Sequence, residues 1–357
     1  MISTHLTANR KPRPQDADLV FGRVFTDHMV LIDYEADRGW YDPRVVPYEA
    51  LALDPAAAVL HYGQAMFEGC KAFRGADGKV RLFRLDRHCR RMSEGAARLC
   101  IPSIDVELMR EAILALVRVD SVWVPSAAET SLYIRPTLIA TEPFLGVRPS
   151  KRYLFFVIAS PVGPYAGEAF QPARIWVEDH FVRAAPGGLG GVKSGANYVA
   201  SLLAAEEAKK KGYHQVLWTD AHEHRYLEEV GTMNMVVRIK DEFVTPPVFT
   251  PIEGTILSGV TRDSIITLLR EWGFLVSERP IGMEEIISSH RRGELREMFG
   301  CGTAAVITPV GELGWKGQSL VINGGKPGEM ARRLFDSITG VQYGRTPDAH
   351  SWMTTVE

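Results

Sequence analysis

One lysine, Lys193, stands alone in a glycine-dense run, Gly187-Gly188-Leu189-Gly190-Gly191-Val192-Lys193-Ser194-Gly195, just ahead of a helix-forming stretch that begins near Asn197. No other segment restricts the fold as strongly. Glycines lack Cβ and permit close backbone approach to a flat ligand, so this lysine is expected on a loop packed against something other than water. Most lysines are solvated surface groups; the setting is what separates Lys193 from them. The segment also imitates a phosphate-binding loop of the form G-x-x-x-x-G-K-[ST]. The residue before the lysine should then be glycine, but it is Val192, and residues 181–186 are no clear buried strand. The nucleotide-hydrolase reading fails on both motif and context.

Downstream, Tyr226-Leu227-Glu228-Glu229-Val230-Gly231 follows His222-Glu223-His224, which reads as a hairpin tip. Adjacent residues on a strand face opposite sides. One acid is therefore expected in solvent and the other inward, and alternation alone does not say which. Gly259-Val260-Thr261 opens a helix, where unpaired N–H groups and the dipole favour an anion. Gly302-Thr303-Ala304 reads as a backbone nest. Each is ordinary turn chemistry by itself; together they suggest a phosphate cup. Arg90 and Arg91, on the helix after Arg84, would add charge, although exposed helix arginines are the commoner case. A lysine amine, an inward acid and an anion-binding turn are the parts that pyridoxal phosphate requires. The amine forms the Schiff base, the acid keeps the ring nitrogen protonated, and the helix start takes the phosphate.

The 357 residues suffice for two domains, and the hydrophobic and charged fractions are those of a globular protein in water. A formal net charge of -2 argues against nucleic acid as the main partner. No apolar run approaches the roughly 18 residues of a membrane span. Residues 1–18 are polar and are no secretory signal; Arg10, Lys11 and Arg13 read as charges in a frayed tail. The four cysteines, Cys70, Cys89, Cys100 and Cys301, form no C-x-x-C pair and no zinc spacing. A reduced, cytoplasmic protein without a metal is expected.

Strand-like segments lie at 80–83, 131–140, 153–159, 175–177, 215–218 and 234–239. Asp86 is expected to cap a helix running to about residue 99, and Asp105 the next, with Leu108, Ile113, Leu116 and Val117 on its apolar side. A helix is expected over 197–210 and another from Thr261, stopped by Gly212 and Gly273 respectively. The turn-rich stretch Pro161-Val162-Gly163-Pro164-Tyr165-Ala166-Gly167 is the best boundary. It divides a small α/β domain over 1–162, a loop over 163–173 and a larger domain over 174–357.

With these motifs in order, the chain resembles the branched-chain amino acid aminotransferases, which are fold-type IV pyridoxal phosphate enzymes. The resemblance runs from about Phe21 to Trp352. It rests on Phe25-Thr26-Asp27-His28-Met29, Leu60-His61-Tyr62, Phe67-Glu68-Gly69, Arg81-Leu82-Phe83-Arg84, Leu132-Tyr133-Ile134-Arg135-Pro136 and Pro161 to Tyr165. Further on, Lys193 to Tyr198, Gln215-Val216-Leu217-Trp218, Glu229 to Asn234, Leu257 to Arg262, Gly302-Thr303-Ala304 and Gln342-Tyr343-Gly344-Arg345 carry it. It implies an α/β (α+β), two-domain, D-amino acid aminotransferase-like fold and transfer of the amino group of leucine, isoleucine or valine to 2-oxoglutarate.

Roles follow from the resemblance, position by position. Lys193 matches the Schiff-base lysine, Tyr198 the tyrosine on the cofactor's phenolic oxygen, and Glu229 the acid at the ring nitrogen. Arg91, Thr232, Gly259, Val260, Thr261 and Thr303 match the remaining cofactor shell. Phe21, Tyr62, Phe67, Tyr133, Arg135, Leu145, Val147, Tyr165, Thr232 and Ala304 match the substrate pocket. In the family, Tyr62 and the 145–147 loop reach into the partner subunit's site, so a homodimer is implied. Two departures stand out. The family usually has two glycines where this chain has Gly195-Ala196, and the extra methyl is expected to press on the cofactor loop. Mammalian relatives carry a C-x-x-C pair where this chain has Ala305 and Thr308. The rivals are D-amino acid transamination, aminodeoxychorismate lyase activity, and a non-catalytic protein that kept the scaffold. The motifs at 132–136 and 229–234 favour the branched-chain branch, and intact Lys193 and Glu229 argue against loss of catalysis.

Overall fold

The computed structural model describes residues 2–164, 170–250 and 253–357. The chain divides into two compact units, Met1–Gly167 with Gly340–Glu357, and Glu168–Thr339. The tail does not stay with the second domain as the sequence reading had it. Strand Met353–Thr355 pairs antiparallel with Val80–Phe83, and Trp352 meets Phe83 edge-on at 5.7 Å. Apolar contact and a free strand edge thus return the last residues to the first unit.

The described strands of the first unit form a nine-stranded sheet centred on the antiparallel pair Ser131–Ala140 and Arg152–Val162. These strands read as near-continuous apolar runs because both their faces are covered; in Ser131–Ala140 all but Arg135 and Thr137 are buried. Helix Val106–Val119 is capped as expected, the Asp105 carboxylate accepting from Leu108 N at 2.9 Å, with Met109, Ile113, Leu116 and Val117 buried. Helix Leu85–Arg98 is not capped by Asp86, which lies inside its first turn; Arg84 occupies the cap in a left-handed conformation, φ 53°. The Trp352 carbonyl accepts from Arg84 N at 2.7 Å, which holds that conformation. The N-terminal tail is not frayed. Strand Ser3–Thr4 pairs with the strand Gly39–Pro47, Thr7 N donates to His28 Nε2 at 3.0 Å and Lys11 N to Asp27 at 2.8 Å.

In the second unit the strand Leu227–Val230 pairs with Gln215–Thr219 on one side and Met233–Ile239 on the other. Those neighbours run on through Ala173–Val177, Val306–Trp315 and Leu295–Gly302, so the sheet closes on itself. Alternate residues such as Ile175 and Val177, and Met233, Met235 and Val237, share one apolar core. Helix Gly195–Lys210 packs outside the ring, its Ala204 and Ala208 on Val216 and Trp218. Gly212 and Gly273, with φ of 83° and 81°, end their helices in the left-handed conformation expected of them. Among the described residues no helix is long and apolar enough to cross a membrane, and no cluster of His, Cys, Asp or Glu could hold a metal ion.

Candidate active site

The glycine run folds into a tight loop because side chains have no room there. A Cβ on Gly190 would run into the Thr255 carbonyl, and one on Gly188 would lie 2.8 Å from the Ala185 carbonyl. Asn197, buried in the first turn of the helix, fastens this loop, its Nδ2 donating to the Leu189 and Val192 carbonyls at 2.8 Å each. Ser194 caps the same helix, accepting from Ala196 N at 3.4 Å. Ala196 is exposed and helical, so its methyl group does not press inward on the loop. Lys193 is thereby set at the loop's end, half-buried, with Nζ donating to the Tyr198 hydroxyl at 2.7 Å.

The two acids are both buried, Glu228 at 6% and Glu229 at 4% exposure. Neither faces solvent as alternation had suggested, because Thr255 lies over Glu228, and Leu257 and Arg183 over Glu229. Glu229 is the cross-strand partner of Asn234, on the face opposite Val230 and Met233. Its Oε1 accepts from Leu257 N at 2.9 Å and from Asn234 Nδ2 at 3.4 Å. Its Oε2 lies 3.2 Å from Arg183 Nε, an ion pair by distance although the N–H does not aim along a hydrogen bond. Glu228 instead accepts from the Thr255 hydroxyl, and burial pushes its carboxyl up to about 7.

Lys193, Tyr198, Glu229, Thr232, Leu257 and Arg183 line one cavity. Asn234 links this cavity to the next helix. Its Nδ2 donates to the Leu257 carbonyl at 2.9 Å, and its side chain lies where a Cβ on Gly259 would stand. Gly259 begins the helix Val260–Glu271 without any side-chain cap, and Thr261 is buried in its first turn. Cys301 is the cross-strand partner of Asn234. Thr303 and Ala304, both half-buried, sit in the turn just beyond, between Leu295–Gly302 and Val306–Trp315.

A second constellation lies wholly in the first unit. Arg135 Nη2 donates to the Tyr133 hydroxyl at 3.1 Å, the guanidinium sits 4.5 Å over the Phe67 ring, and Phe21 meets Tyr133 edge-on at 4.9 Å. Gly69 leaves the space that the Tyr133 hydroxyl fills. Arg135 Nε is buried with no acceptor among the described residues. Tyr62 ends the short helix Ala58–Tyr62 at 44% exposure, its hydroxyl donating to the Leu145 carbonyl; Leu145 and Val147 are more exposed still, at 60% and 86%. Arg90 is exposed, whereas Arg91 grips Glu68 through Nε at 2.6 Å and Nη2 at 2.8 Å. Tyr165 lies outside the described residues.

The structure thus brings Lys193, Tyr198, Glu229 and Thr232 together in one unit, and Phe21, Phe67, Tyr133 and Arg135 in the other. Sequence reasoning missed Arg183, Asn197 and Asn234, the three side chains that hold the loop and the acid. The available signal was a lone cation, Arg183, inside the apolar stretch Phe181-Val182-Arg183-Ala184-Ala185.

The family profile described as amino-transferase class IV matches residues 65–313. The branched-chain-amino-acid aminotransferase 2 of Bacillus subtilis (strain 168) is 51% identical over 355 residues, covering 99% of this chain and 97% of that protein. The crystal structure of the branched-chain amino acid aminotransferase of Escherichia coli superimposes with a TM-score of 0.74 at 28% identity, over 93% of this chain and 99% of that one. The T.th. branched-chain amino acid aminotransferase complexed with N-(5'-phosphopyridoxyl)-L-glutamate gives 0.73 at 27% identity, over 91% and 98%.

Proposed function

This chain belongs to the amino-transferase class IV family, and within it to the branched-chain-amino-acid aminotransferases, and from that membership we propose that its Lys193 cavity takes pyridoxal phosphate. The donor set fits the group. An amine with a phenol at 2.7 Å, a buried carboxylate and a helix start without a side-chain cap meet an aldehyde, a basic ring nitrogen and a phosphate. The cofactor supplies an aldehyde that takes up the amino group and a ring that withdraws electrons from the substrate α-carbon.

Lys193 would hold the cofactor's aldehyde, and its amine would carry the proton taken from the substrate α-carbon. Tyr198 steers that amine through its hydrogen bond and would meet the cofactor's phenolic oxygen. Glu229, fixed at both oxygens, holds the proton on the ring nitrogen. The amides of Val260 and Thr261 and the hydroxyls of Thr261 and Thr303 bind the phosphate. Leucine, isoleucine or valine gives up its amino group and leaves as a 2-oxo acid. 2-Oxoglutarate then takes the amino group and leaves as glutamate, in a ping-pong cycle. The buried Arg135 Nε without an acceptor, beside the Tyr133 hydroxyl, supports that pair as the reader of the glutamate carboxylate.

We also read the protein as a cytoplasmic homodimer. Exposed Leu60, Tyr62, Leu145 and Val147 in the first unit, and Val199, Leu202 and Leu203 on the helix Gly195–Lys210, support burial against a second copy. Free Cys70, Cys89, Cys100 and Cys301 suit a reducing compartment. The observation that carries the functional reading is the Lys193–Tyr198 bond in the cavity that Glu229 also lines. The test is a product assay with L-leucine and 2-oxoglutarate beside D-alanine. Glutamate and the leucine-derived 2-oxo acid are expected from the L-substrate. Faster reaction of D-alanine, or none with either, would overturn the reading.

A further inference from the structure

We propose that Arg183 is the positioning residue that orients Glu229 toward the cofactor's ring nitrogen, an inference that rests on the reading of Glu229 given above.

The two oxygens of Glu229 are held differently. Oε1 accepts from two neutral donors, Leu257 N and Asn234 Nδ2. Oε2 faces the guanidinium of Arg183 at 3.2 Å. Both side chains are withdrawn from water, at 7% and 6% exposure. A buried carboxylate is stabilised by a cation set against it. The acid at the ring nitrogen influences how strongly the cofactor withdraws electrons, so the residue that orients Glu229 bears on the chemistry.

Arg183 is itself fastened. Its Nη2 donates to the Thr255 carbonyl, the same carbonyl that excludes a side chain from Gly190 in the Lys193 loop. The Thr255 hydroxyl donates to Glu228. One guanidinium therefore serves a cluster containing two consecutive buried carboxyls. Burial holds Glu228 up to about 7, whereas the distance places the guanidinium on Glu229.

The test compares Arg183→Met, Arg183→Lys, Glu229→Gln and the double variant Arg183→Met with Glu229→Gln. Three quantities are measured: pyridoxal phosphate affinity of the apoprotein by fluorescence quenching, melting of the apoprotein, and kcat and KM for leucine. Arg183→Met is expected to weaken pyridoxal phosphate binding about tenfold and lower kcat about thirtyfold, with KM within about twofold, because the ion pair acts on the ring and not on the substrate. Arg183→Lys should recover most of both losses. The apoprotein of Arg183→Met should melt below wild type, and adding Glu229→Gln should recover most of the loss, since the Glu229 carboxylate that lacked its cation is then gone. Should Glu229→Gln be crippled while Arg183→Met keeps wild-type affinity and kcat, this inference fails and the role of Glu229 stands. If the melting losses of the two substitutions simply add, Arg183 is packing material and the inference fails. If Glu229→Gln is harmless, the reading of Glu229 fails and takes the inference with it.

Discussion

Glu228 and Glu229 are consecutive on one strand, yet their surroundings assign them different work. Glu229 has an amide, a carboxamide and a guanidinium around it. Glu228 has burial and one hydroxyl, and its carboxyl rises from 4.5 to about 7. The unfolded chain loses this proton near 4.5, whereas the folded protein keeps it until about 7. The folded state thus binds more protons across that window, and stability falls as pH rises through it. Glu228→Gln imitates the protonated acid. It should melt with wild type in mild acid and above wild type at mildly alkaline pH, and an unchanged gap at both would sink this account. Arg135 gives a second residue-scale prediction. A guanidinium beside a phenol binds a distal carboxylate, while leucine packs only on the rings. Arg135→Met should raise KM for 2-oxoglutarate over that for leucine by about 2 kcal/mol, or roughly thirtyfold. Equal rises for both substrates would make Arg135 structural.

Among elements, the Lys193 loop with its following helix is the part on which the proposed chemistry depends. Asn197→Ala removes the donor shared by the Leu189 and Val192 carbonyls. It should cost about 1–3 kcal/mol of stability and loosen cofactor binding, as a melting scan and a cofactor titration would report. Wild-type values in both would show that the loop holds itself. Much of this element was legible in sequence. Glycine density marked the loop, and the helix began within two residues of its expected start because Ser194 could cap it. The hairpin around residues 222–224 was equally visible, since its strands Gln215–Thr219 and Leu227–Val230 pair directly. What sequence could not show was long-range. Thr255, Leu257 and Arg183 come from distant segments to cover both acids, and no local pattern encodes that cover. Arg183 comes from an irregular segment, so no periodicity pointed to its contact with Glu229. Asp86 carried the right residue type for a cap, but tail contacts at Trp352 fixed Arg84 there instead.

At the scale of the whole molecule, four thiols report on the fold. Cys70, Cys89 and Cys301 are buried and Cys100 is exposed. Burial drives the first two thiols far up and Cys301 to about 12, which suppresses the thiolates that reagents attack. Cys301 lies beside the Thr303 turn, but at 1% exposure it is shielded from bulky alkylating agents. Native protein should therefore take up one equivalent of a maleimide, at Cys100, with little loss of activity. A reversible, dithiol-dependent inactivation by peroxide would contradict this. Two further features, the amine set against Tyr198 and the acid held by Leu257 N, Asn234 and Arg183, support the proposal that Lys193 carries the cofactor. The most direct measurement is borohydride reduction of the cofactor-loaded protein, followed by digestion and peptide mapping. The account predicts a phosphopyridoxyl group on the peptide containing Lys193, and none after Lys193→Ala. A stable label on any other lysine in the wild-type protein would contradict it.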